Sequence, residues 1–145
     1  MISIRAYRRA LKLIDANIFI YAVGSQHTYK APCRDVLRSI REGRIQAATN
    51  TEALQEVLYF YHGRGAVAFG ATYVKRLLRT FPLVIEIDGR IIDRAASLVL
   101  SHPALTTRDL IHAAVTIEHG LEGIISADRG FDQIPGVRRF DPREM

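Results

Sequence analysis

Leu11-Lys12-Leu13-Ile14-Asp15-Ala16-Asn17-Ile18-Phe19 is the stretch that decides the fold class. A mostly apolar run ends on an acid and passes at once into residues 18–23, which suit a short helix. A buried strand handing over to a helix reads this way. The pattern recurs. Residues 45–48 predict a second strand, with a helix over 51–60 behind it. Residues 83–87 carry Val-Ile between Pro82 and Asp88-Gly89 and predict a third, followed by a helix over 91–101. Ile124-Ile125 predicts a fourth, and residues 137–140 a short fifth after the turn Pro135-Gly136. Further helices are expected over 31–41, 67–80 and 108–119. Strands alternating with helices predict an α/β/α sandwich around a central parallel sheet of four to five strands.

Local signals punctuate these elements. Pro32 suits the first turn of the helix over 31–41, and Gly43 ends it. Thr49 is the expected cap of the helix over 51–60, with Glu52 three residues on completing a capping box. Gly63 and Gly65 break the chain before the next helix. His102-Pro103 stops another, and Thr106 and Thr107 cap the one that Gly120 terminates.

A chain of 145 residues, 48% hydrophobic, has the size of one domain with an ordinary core. Residues 1–10 read as a basic lead-in to that domain. No run of about 20 apolar residues is present to span a membrane, and the basic N-terminal stretch lacks the apolar core of a signal peptide. Cys33 is the single cysteine, so no internal disulfide can form, and a reducing cytoplasm is the expected location. One Cys and five scattered His give no structural zinc site. The net charge is +5, and 17 of the 20 basic residues are Arg. Arginine pairs phosphates through two parallel hydrogen bonds, so a polyanion is the expected partner.

Four acids stand where a mostly apolar strand gives way to a helix or loop, or one to two turns into a helix: Asp15, Glu56, Asp109 and Asp128. Ligands of parallel sheets bind at the C-terminal strand edge, and acids gathered there repel one another unless hard cations sit between them. All but Glu56 also have a local alternative. Asp15 is a good N-cap, and Thr106-x-x-Asp109 has capping-box spacing. Glu52 and Glu56 share a helix face, but the capping box accounts for Glu52, while Glu56 lies near an apolar stripe without a local partner. Asp128 and Asp132 frame the loop after the fourth strand. Asp128 is nearer the strand end, and Asp132 is expected one step further out. His112 and His119, seven apart on one helix, read as packing or surface residues.

Taken in order, Leu13-Ile14-Asp15-Ala16-Asn17-Ile18-Phe19-Ile20-Tyr21, Glu56-Val57-Leu58, Arg108-Asp109-Leu110-Ile111-His112-Ala113-Ala114 and Ser126-Ala127-Asp128-Arg129-Gly130-Phe131-Asp132 resemble the PIN-domain nucleases. The likeness is greatest to the VapC-type toxins of prokaryotic toxin–antitoxin pairs. The resemblance implies that Asp15, Glu56, Asp109 and Asp128 form an acidic site, with Asn17, Thr49 and Ser126 at polar positions that line it. It implies an Mg²⁺- or Mn²⁺-dependent endoribonuclease that dimerises and is silenced by a cognate antitoxin. On this reading Asp15, Asp109 and Asp128 hold the principal ion, and Glu56 orients water or helps hold a second ion. Arg108 and Arg129, each beside one of the acids, are the candidates for steering RNA phosphates. A PIN nuclease of RNA processing outside a toxin pair is the alternative within the family, and two rivals stand beside it. A haloacid-dehalogenase-like phosphatase would need an Asp where Asn17 stands, and a silent module would bind RNA or a partner without cutting.

Overall fold

The computed structural model describes residues 3–145. Five strands, β1 Lys12–Ile14, β2 Ala47–Asn50, β3 Val84–Ile85, β4 Gly123–Ile125 and β5 Arg139–Phe140, form one parallel sheet in the order β3-β2-β1-β4-β5. Helices α2 Ala16–Val23, α3 Lys30–Arg41, α4 Thr51–Gly63 and α5 Val67–Thr80 supply the first two crossovers. The third runs through α6 Gly89–Ser101 and α7 Thr107–Glu118. The expected α/β/α sandwich is the observed architecture.

Side chains alternate across a strand, and here the alternation sorts two cores. Leu13, Ala48 and Ile124 stand side by side in register and face Ile91, Leu110 and Ala114 of α6 and α7. Their neighbours Ile14, Ala47 and Ile125 face the other way, onto Phe19, Val57 and Tyr73 of α2, α4 and α5. Strands buried on both faces read as continuous apolar runs, which is why such short ones were visible at all.

The lead-in is partly helical. Ser3 caps α1 Ile4–Ala10, its Oγ accepting from the Ala6 N–H, and none of the helix is buried. Met1 and Ile2 lie outside the described residues.

One boundary differs from expectation with consequences for the site. β2 covers Ala47–Asn50 instead of residues 45–48, because β3 pairs with Thr49 and Asn50 and carries the strand onward. Thr49 therefore does not cap α4. Its Oγ1 donates instead to the Ile14 carbonyl, 3.0 Å away, tying β2 to β1. Asn50 takes the cap, accepting from the Ala53 N–H at 2.8 Å. With the cap moved one residue on, Glu52 completes no capping box. At the far end of α4 the chain turns through Gly65 at φ 72°, a left-handed conformation open to glycine, and enters α5.

Candidate active site

The two strands flanking β1 are reached by crossovers running in opposite directions, which opens a crevice beyond the C-terminal ends of β1 and β4. Asp15 follows β1 into this crevice and is buried. It is the N-cap that its position suggested, and its second oxygen is tied to the end of β4. Its Oδ1 caps α2 by accepting from the Ala16 N–H at 2.7 Å. Its Oδ2 accepts from the Ser126 hydroxyl at 2.6 Å and from the Asn17 amide at 3.2 Å. Ser126 ends β4, and its Oγ also receives the Asp128 N–H at 3.0 Å, so one hydroxyl joins the ends of both strands. Asn17 closes the ring by donating to Ser126 Oγ at 3.1 Å.

Asp109, in the first turn of α7, and Asp128, at the start of the Arg129–Gln133 3₁₀ turn, meet across the same opening. Burial and the neighbouring Asp128 carboxyl push the Asp109 pKa from 3.8 up to about 7. Burial likewise raises Asp15, outweighing the help of His112 and Ser126. Glu52 is raised by burial and then by the charge of Glu56. These carboxyls are thus crowded beyond what their own surroundings can neutralise. Oxygen donors in that condition fit a hard divalent cation. Phe131 is fully buried beneath the 3₁₀ turn and pins the loop that carries Asp128.

A pocket of about 710 Å³ contains Asp15, Asn17, Glu56, Asp109 and Asp128 together with Tyr59, Phe60, Arg64 and Arg108. Glu56 reaches it from the second turn of α4. Arg108 Nε lies 3.8 Å from Glu56 Oε1, and its guanidinium stands 5.9 Å from the Tyr59 ring centre. Arg64 covers the face of Phe60 at 3.6 Å. Tyr59, Phe60 and Arg64 gave no signal in the sequence beyond a helix that stays aromatic near its end.

Not every candidate arrives. Thr49 is wholly buried against β1 and does not line the pocket. Asp132 is held by Arg139 of β5, through Oδ1 to Nε at 3.0 Å and Oδ2 to the second guanidinium arm at 3.2 Å. Arg129 is exposed at the head of the 3₁₀ turn and lies outside the pocket. Arg139 also donates to the Ser126 carbonyl at 3.0 Å, so it braces β4 from behind.

His112 is the residue that sequence reasoning passed over. It has no exposed surface, as a packing residue should, yet its Nε2 is 3.3 Å from Glu56 Oε1 and 3.5 Å from Asp15 Oδ1. Asp15, Glu56 and His112 each present an atom within 4.8 Å of the others, close enough to share a cation. Burial disfavours charge on His112, but the Glu56 hydrogen bond and the charges of Asp15, Glu56 and Asp109 outweigh it and draw its pKa upward. Its Nδ1 faces the Asn50 amide at 2.9 Å.

A profile of the PIN domain matches residues 12–137. The chain belongs to the PIN-domain family. This PIN domain is 33% identical over 133 residues to ribonuclease VapC13 of Mycobacterium tuberculosis, covering 88% of the chain and 98% of the relative. It is 30% identical over 134 residues to ribonuclease VapC7 of the same organism, covering 90% of each. Among solved structures, DNA-bound VapBC from Salmonella typhimurium superposes with a TM-score of 0.70 at 19% identity, covering 91% of this chain and 98% of the other. FitAcB from Neisseria gonorrhoeae gives 0.70 at 18% identity, covering 93% and 99%. At those identities the structural likeness shows the fold of this PIN domain. Among its described residues, no helix is long and apolar enough to cross a membrane.

Proposed function

We propose that this chain is a divalent-cation-dependent endoribonuclease that hydrolyses RNA phosphodiesters and acts as the toxin of a toxin–antitoxin pair. The observation that carries this reading is the gathering of Asp15, Glu56, Asp109 and Asp128 in one pocket with Arg64 and Arg108. Asp15, Asp109 and Asp128 would hold Mg²⁺ or Mn²⁺, both of which favour carboxylate oxygens. A bound divalent cation supplies Lewis acidity at the phosphate and makes water a nucleophile near neutral pH. Glu56 orients the attacking water and draws off its proton. Arg108 and Arg64 meet the phosphates on either side of the scissile bond, and the exposed ring of Tyr59 offers an unpaired base a face to stack on. Water attack leaves a 5′-phosphate and a 3′-hydroxyl and does not use the RNA 2′-hydroxyl.

The relatives named VapC ribonucleases support the RNA substrate and the toxin role. The VapBC complexes among the structural neighbours support a cognate antitoxin partner. A cytoplasmic location and a homodimer belong to the same reading, and a strict monomer in sedimentation at high concentration counts against the dimer.

The test is direct. Purified protein with Mg²⁺ or Mn²⁺ cuts members of an RNA panel, EDTA stops it, and Asp109→Asn lowers the rate by at least about 100-fold while the fold survives. Cleavage that ignores EDTA sinks the metal chemistry. RNA binding without turnover under any divalent ion would leave a silent module instead.

A further inference from the structure

The two nitrogens of the His112 ring face opposite kinds of partner, and the direction of each hydrogen bond can be worked out from a backbone amide. The Ala53 N–H donates to the Asn50 side chain at 2.8 Å, as a helix cap requires. An N–H cannot point at an amide NH₂, so the atom it meets is Oδ1. Asn50 must then turn its NH₂ toward His112 Nδ1, 2.9 Å away. A ring nitrogen that receives an N–H carries none of its own. The ring proton therefore sits on Nε2, aimed at Glu56 Oε1 and Asp15 Oδ1 at 3.3 and 3.5 Å. Asn50 and His112 have no exposed surface, so water cannot substitute for either partner.

We propose that Asn50 is a positioning residue that locks His112 as a hydrogen-bond donor to Glu56, with the same ring N–H beside the Asp15 carboxylate. A nitrogen bearing a proton has no lone pair to give, so His112 is not a cation ligand despite its place in the triad with those two acids. The donor holds Glu56 Oε1 and Asp15 Oδ1 at one spacing, and the cation is left to Asp15, Asp109 and Asp128. Asn50 thus links the first turn of α4 through His112 of α7 to Glu56, one turn further along α4, and to Asp15 at the end of β1. What this does for RNA cleavage rests on the nuclease reading above, whereas the hydrogen-bond pattern is a property of the fold without any cation.

The experiment is long-range ¹H–¹⁵N correlation NMR of the histidine rings, with His112→Gln assigning the signal. At about pH 8, above the ordinary imidazole range, His112 is expected with Nδ1 bare and Nε2 protonated, and unchanged when Mg²⁺ is added. A proton on Nδ1, or an Nε2 that loses its proton to the cation, overturns the proposal. Asn50→Asp keeps the cap but replaces the donor with an acceptor, and is expected to bring a proton onto Nδ1. If Nδ1 stays bare in that variant, the assigned bond direction is wrong. Asn50→Ser keeps a capping oxygen and removes the donor. It is expected to lower kcat and Mn²⁺ affinity about 10- to 100-fold with KM for RNA within twofold. Values within twofold of the parent for both kcat and Mn²⁺ affinity overturn the positioning role. If the parent protein cuts no RNA, the nuclease reading fails alone, and the ring signals with Mn²⁺ calorimetry still decide this proposal.

Discussion

On Asp15 two demands meet: one oxygen caps α2 and the other gathers Ser126 and Asn17. Asparagine can still cap, so Asp15→Asn isolates the charge. We expect it to cut RNA cleavage by about 100- to 1,000-fold. Because burial already raises the Asp15 pKa, its charge costs stability without a cation. The melting temperature of Asp15→Asn in EDTA at neutral pH should then equal or exceed that of the parent, and a clear fall would contradict this. Asp109 gives the matching pH prediction. Its folded pKa of about 7 lies above the ordinary 3.8, so between these values the unfolded chain has released a proton that the native state still holds. Cation-free stability therefore declines as pH rises from about 4 through about 7, and added Mg²⁺ restores more of it at the upper end. Thermal melts across that range, with EDTA and with Mg²⁺, check the slope. Asp15 and Asp128 were legible from their places at strand ends and Glu56 from its lack of a local partner, whereas Asp109, with its capping-box spacing to Thr106, stood out only in the company of the other three. His112 and Asn50 were not, since their partners lie on segments dozens of residues away and apolar neighbours made the histidine look like packing. Asp132 was expected one step behind Asp128, but its partner Arg139 was not legible, because the sequence does not show β5 bringing that residue beside it.

Among the elements, β4 is set most tightly. A Cβ on Gly123 would meet the Arg138 carbonyl oxygen at 2.2 Å, and backbone of the neighbouring strand region cannot swing aside as a side chain can. Gly123→Ala is expected to cost about 1–3 kcal/mol in denaturant unfolding. It should also lower cleavage, because the chain leaving β4 places Ser126 behind Asp15 and carries Asp128 into the pocket. Full stability with full activity would show that β5 yields easily. Helix extents were readable from periodicity and glycine stops, and α5 covers the expected residues. Strand limits were harder. The observed strands are two to four residues long, and their ends depend on where a neighbour stops pairing, as the extension of β2 by β3 shows.

For the molecule as a whole, alternation of strand and helix was enough to expect a parallel sheet with helices on both faces. Strand order was not legible, since it depends on which crossover covers which face. The basic surface makes a prediction at this scale. RNA binding to the inactive Asp15→Asn protein should weaken with salt, and Arg108→Ala should flatten the log–log slope by about 0.7, the share of one phosphate contact on a single strand. An unchanged slope would place Arg108 away from the phosphates. The layout of the sheet has one more consequence. Asp15 is synthesised before its partners, but β1 lies between β2 and β4, and the crevice stays open on one side until Gly123–Ile125 and Asp128 exist. A polypeptide leaves the ribosome N-terminus first. On the nuclease reading, a growing chain therefore carries a dismantled cutting centre past the very RNA that encodes it until the loop bearing Asp128 has emerged.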